Sequence, residues 1–130
     1  MLRDFSIRTL SRTEFYDITS ELRNIVKESN VKDGICTVFI PHTTAGVTIN
    51  ENADPDVKKD IEKEMDKIVP WEDNYRHFEG NSAAHIKASM FGFSETIIIN
   101  NGELLLGTWQ NIYFCEFDGP RTRKVYVKIV

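Results

Sequence analysis

The chain has three histidines, and their placement is the first chemical signal. His42 sits in "FIPHTTAGVTINENADPD" (residues 39–56), His77 in "PWEDNYRHFEGN" (70–81) and His85 in "SAAHIKASMFG" (82–92). All three fall in polar connections or on a short helical segment beside one, and none interrupts an apolar stripe. A neutral imidazole is a good zinc ligand, and three protein ligands with an open fourth position is the pattern of catalytic zinc sites. The spacing alone does not assemble such a site, since no HExxH or comparable close pair is present. Two readings stay open beside it: three unrelated histidines held by ordinary hydrogen bonds, or an acid-base role without metal.

Carboxylates and anion-binding groups gather in the same stretches. Asp54, before Pro55, is explained as a helix cap, and Glu72 and Asp73 as solvated loop acids. Glu51 and Glu79 each flank a histidine segment, where a carboxylate could orient an imidazole or serve as general base. In "EFDGPRTRK", Asp118 precedes a Gly-Pro turn. Arg121 after it could act as a planar fork for phosphate or carboxylate, or simply be solvated with its neighbours. Thr43 and Thr44 add hydroxyls, and Asn81 stands at a helix start, where anions are held. In "LGTWQ", Gly107 invites a bulge and Trp109 reads as a packing anchor.

These residues need elements to position them. "LRDFSIRTL" has mostly period two and predicts a strand. Ile18, Leu22, Ile25 and Val26 recur at helical spacing behind Asp17, a candidate cap, with Gly34 available to end the run. "ICTVFI" predicts a strand stopped by Pro41, and "AGVTIN" a short second one. Val57, Ile61, Met65 and Ile68 form an apolar stripe on a helix after Asp54. A third helix is entered through Asn81 or Ser82 and left near Gly92, with Ala84 and Ala88 inward and Met90 and Phe91 as further candidates for the inward face. From "ETIIIN" onward, runs joined by tight turns, led by Asn101-Gly102, predict a meander of consecutive strands. The expected class is an α+β single domain with mainly antiparallel sheet and about three helices.

A length of 130 residues suits one domain and is too short for a barrel of eight strand and helix pairs. The formal charge of −4 argues against a surface built to neutralise nucleic acid. Cys36 and Cys115 lie in apolar runs and read as buried free thiols. No apolar run reaches the length of a membrane span, and "MLRDFSIRTLSRTEF" lacks the pattern of a signal peptide, so the expected location is cytoplasmic.

Three segments, "PHTTAGVTINENADPDV", "YRHFEGNSAAHIKAS" and "GELLLGTWQNIYFCEFDGPR", resemble the YjbQ family, also called secondary thiamine-phosphate synthases. The resemblance runs over nearly the whole chain and includes the signature from Gly102 to Gln110. It implies an α+β domain that packs a mixed β-sandwich with helices, a homotrimer, and polar motif residues near subunit contacts. His42, His77 and His85 match the family's motif histidines, which implies a shared site for a divalent metal, zinc first and magnesium where diphosphate is handled. Asn81, Asp118 and Arg121 match its other polar positions. The implied activity joins a pyrimidine methyl diphosphate to a thiazole phosphate with release of diphosphate. The alternatives are a metal-dependent hydrolase with Glu51 or Glu79 as base, and a trimeric metal- or metabolite-binding protein without turnover.

Overall fold

The computed structural model describes all residues, Met1–Val130. In chain order the elements are β1 (Leu2–Arg8), β2 (Glu14–Asp17), α1 (Thr19–Ser29), β3 (Asp33–Phe39), β4 (Ala45–Glu51) and α2 (Pro55–Ile68). They continue with α3 (Ser82–Phe91), β5 (Ser94–Asn100), β6 (Glu103–Leu104), β7 (Gln110–Glu116) and β8 (Thr122–Ile129). The strands form two sheets, β1-β8-β3-β5-β6 and β2-β7-β4. Every pairing is antiparallel, giving the expected α+β single domain with three helices.

Strand alternation builds the core between the sheets. Cys36 and Val38, Ile97 and Ile99, and Val125, Val127 and Ile129 point inward from the large sheet. Val47, Ile112 and Phe114 meet them from the small one. α1 adds Leu22, Ile25 and Val26 to the same core. The intervening residues of β7, Tyr113 and Cys115, face the other way and join Phe15, Phe117, Ala84 and Ala88 in a second cluster under α3. The small sheet is therefore covered on both faces. Both cysteines are buried and unpaired, and burial pushes the Cys36 thiol up to about 11. No helix is long and apolar enough to cross a membrane.

Several local expectations are corrected. The last third is not a meander of consecutive strands: β5 and β6 form the Asn101-Gly102 hairpin, but β7 pairs with β2 and β4 in the other sheet, and β8 returns between β1 and β3. Gly34 lies within β3, and α1 ends instead at Asn30 in the left-handed conformation. Asp17 caps α1 one residue early, its carboxylate accepting from the Thr19 N–H at 2.9 Å. On α2, capped by Asp54 as expected, no residue of the apolar stripe is fully buried, and Ile68 is exposed; on α3, Phe91 packs against the second cluster but Met90 is exposed. Trp109 is no packing anchor, since it is 63% exposed on the 105–109 connection. That connection is closed by the Gln110 side chain, which accepts from the Gly107 N–H at 2.8 Å.

Candidate functional site

The crossing from β7 to β8 organises the polar residues, because it carries the chain from one sheet to the other. Glu116, the last residue of β7, is fully buried, and Arg123, the second residue of β8, is 3% exposed. The Glu116 carboxylate accepts from Arg123 Nε at 2.8 Å and from its Nη2, from the Thr9 hydroxyl at 2.8 Å, and from the Asp118 N–H at 3.0 Å. Burial alone would raise its pKa, but these donors hold it below the ordinary carboxylate value. Arg123 Nη2 also donates to Thr44 Oγ at 2.9 Å, tying the His42 segment to this ion pair.

The Asp118-to-Arg121 turn rests on that buried base. A β-carbon at Gly119 would come within 2.3 Å of the Ser11 carbonyl oxygen, so only glycine lets the turn press against the 11–12 segment. The Gly119 N–H donates to the Arg12 carbonyl at 3.0 Å. Held this way, Asp118 Oδ2 accepts from Arg121 Nη2 at 3.0 Å and from Asn81 Nδ2 at 2.9 Å, while Arg121 Nε donates to the Asp118 carbonyl at 2.9 Å. Because the carboxylate can only accept, it fixes the Asn81 amide with its NH2 toward Asp118. The Asn81 Oδ1 is then buried with no donor.

His85 lies one helical turn after Asn81, and its ring meets that of His77 edge-on, centroids 5.4 Å apart at 82°. His42 follows β3 past Pro41. Its Nε2 accepts from the Lys124 N–H at 2.9 Å, which makes Nε2 the unprotonated nitrogen and leaves the proton on Nδ1. Burial first, and then the Arg123 charge, lower its pKa from the usual histidine value. His42, Thr43, Thr44 and Arg121 line one side of an open cleft of about 570 Å³, with Phe39, Pro41 and Phe93 as its apolar wall.

The structure thus brings Asn81, Asp118 and Arg121 into one hydrogen-bonded chain, places His42, Thr43 and Thr44 along the cleft with Arg121, and pairs His77 with His85. Within a single chain it gathers no group of three or more His, Cys, Asp or Glu side chains that could hold a metal ion. Glu79 is exposed on the loop before α3, with no ion pair or side-chain hydrogen bond. Glu51 ends β4, where its carbonyl accepts from the Tyr113 hydroxyl at 3.2 Å, a structural contact of its backbone. Glu116 and the buried role of Arg123 were not read from sequence. Both lie at inward positions, and an acid at the end of "IYFCE" with a base seven residues later was the available signal.

The comparisons with known proteins agree along the whole chain. Residues 3–130 match the model of the family described as UPF0047 protein YjbQ-like. The chain is 53% identical over 131 residues to UPF0047 protein YugU of Bacillus subtilis, covering 100% of this chain and 99% of that protein. It is 55% identical over 130 residues to a UPF0047 protein of Methanocaldococcus jannaschii, covering 100% and 94%. Among solved structures, an uncharacterized conserved protein of the same family from Clostridium acetobutylicum superposes with a TM-score of 0.97 at 58% identity, covering 98% of this chain and 99% of that one. A YbjQ-like protein of unknown function from Sulfolobus solfataricus superposes with a TM-score of 0.96 at 32% identity, covering 99% and 95%. The chain belongs to the YjbQ-like UPF0047 family.

Proposed function

We propose that the protein is an enzyme acting on a small phosphorylated substrate at the Arg121 and His42 cleft, with a transfer of the thiamine-phosphate synthase type as the reaction. The observation that supports this best is the Asn81, Asp118 and Arg121 chain. Two of the five guanidinium N–H groups of Arg121 are used on Asp118, and three remain for an anion. Next to them, His42 offers Nδ1–H as a neutral donor and Thr43 a free hydroxyl, all suited to phosphate oxygens. In the reaction, the bond from the pyrimidine methylene carbon to the diphosphate oxygen breaks and the thiazole nitrogen bonds to that carbon. Diphosphate leaves with the electron pair, so Arg121 would stabilise charge where it grows.

The donor set beyond the cleft fits a divalent ion such as zinc in part. His77 and His85 supply two imidazoles, and the orphaned Asn81 oxygen wants a positive partner. When bound, such an ion would supply Lewis-acid neutralisation of the departing diphosphate. His42 keeps the phosphate role while Lys124 occupies its Nε2. A homotrimer would complete the set from a neighbouring chain.

The test is diphosphate release measured with each thiamine precursor alone and with both together. Release that requires both, with kcat/KM reduced about 100-fold in Arg121→Gln, is the expected result. Release from one phosphorylated compound alone would overturn the transfer in favour of hydrolysis. Binding without release of diphosphate would leave a metabolite-binding protein.

A further inference from the structure

A second charged cleft lies at the opposite end of the large sheet. Lys32 and His42 stand beyond opposite ends of β3, a strand that spans about 20 Å at ~3.3 Å per residue. Between α1 and the β5–β6 hairpin, a cavity of about 550 Å³ opens, lined by Arg23, Asn24, Lys27, Lys32, Asn101 and Glu103. Its size suits a compact ligand rather than a nucleic-acid duplex.

Cations outnumber acids three to one in this cleft. Arg23 and Lys27 are four residues apart on α1, where like charges repel. Neither they nor Lys32 has a carboxylate within ion-pairing distance, since the ion pairs of the chain all involve other cations. Glu28, next to Lys27 on the helix, pairs instead with Arg3. Three cations without an ion-pair partner line one cavity against a single acid, Glu103, in a chain of net charge −4.

The floor of the cleft is built rather than loose. The Gly102 N–H donates to the Lys32 carbonyl at 3.0 Å, pinning the hairpin turn to the residue before β3. Asn101 and Gly102 both take positive φ, at 53° and 79°. The Lys32 side chain lies over Gly102, so that a β-carbon there would meet its Nζ at 3.3 Å. This packing directs one ammonium across the turn, while the amides of Asn24 and Asn101 add neutral donors to the same wall.

We propose that this cleft is a binding site for a small polyanion carrying adjacent phosphates, a diphosphate or triphosphate group, independent of the histidine-lined cleft. Two adjacent phosphates present several charges within a few ångströms, which matches cations delivered from α1 and from the segment before β3, with Lys32 reaching across the hairpin turn. Glu103 is the one acid in the lining, so it opposes the ligand and limits affinity.

The experiment is titration of the full-length chain with inorganic triphosphate at low ionic strength, by calorimetry and by amide chemical shifts. Saturable binding is expected, with the largest shifts at the amides of Lys32, Asn101 and Gly102. Lys27→Gln and Lys32→Gln each weaken it about tenfold, and Glu103→Gln tightens it. Arg121→Gln, at the other cleft, and Lys59→Gln, on exposed α2, leave these shifts unchanged. Shifts confined to the His42 and Arg121 region, equal weakening in Lys59→Gln and Lys32→Gln, or no saturation would each overturn the site.

Discussion

At the scale of single residues, the buried pair of Glu116 and Arg123 governs the candidate site without lining it alone. Removing one partner of such a pair leaves a charge buried with nothing to balance it. Glu116→Gln is therefore expected to lower stability by about 3–5 kcal/mol at neutral pH, measured by denaturant unfolding. The pH dependence has a definite sign. The pKa of Glu116 is depressed in the folded chain, so its contribution is fully present above the unfolded value, about 4.5, and is lost as pH falls through the folded value. The gap between wild type and Glu116→Gln should thus narrow on acidification below about pH 4.5. A gap that stays constant would mean that the substitution costs packing rather than charge balance. Because Glu116 also accepts from the Asp118 N–H, the same variant should weaken anion binding at Arg121.

At the scale of elements, the β7–β8 crossing carries the site, and Gly119 is its tightest point. Gly119→Ala places a β-carbon against the Ser11 carbonyl, which is backbone and cannot rotate aside. A loss of about 1–3 kcal/mol in thermal or denaturant unfolding is expected, together with a shift of the Asp118 and Arg121 amides. Unchanged stability would mean that the 11–12 segment yields. This crossing also marks where sequence reasoning stopped. Local signals were enough for the three helices, for the Asp54 cap and for the Asn101-Gly102 hairpin, because capping and turn chemistry act over a few residues. Asp118 and Arg121 are read together in one turn and the resemblance adds Asn81, but their junction spans 37 residues from Asn81 to Asp118 and depends on which sheet each strand joins. Apolar periodicity says that a strand is half-buried and not against which sheet, so β7 and β8 read as neighbours when each belongs to a different layer. Trp109 failed for the opposite reason: a large aromatic predicts burial, and nothing local says that a connection will hold it outward.

At the scale of the whole molecule, the outer face of the large sheet is more apolar than a solvated face requires. Ile35 on β3 and Ile98 on β5 are cross-strand partners and are both exposed, at 41% and 55%. Phe39 continues the same face to the edge of the His42 cleft, and Phe78 stands fully exposed beside His77. A patch of this kind favours association, and here it runs directly into the candidate site. The homotrimer we propose would cover it and bring a neighbour's side chains to the histidines, which one chain does not gather into a three-ligand set. Light scattering of the purified protein should therefore give three chains per particle, and Ile98→Lys, which places a charge in the middle of the patch, should shift the mass toward one. Ile98 touches no group of the cleft's hydrogen-bonded chain, so a folded Ile98→Lys monomer that has also lost divalent metal binding would tie site completion to assembly. A monomeric wild type would remove the trimer from the mechanism and leave Asn81, Asp118, Arg121 and His42 to act within a single chain.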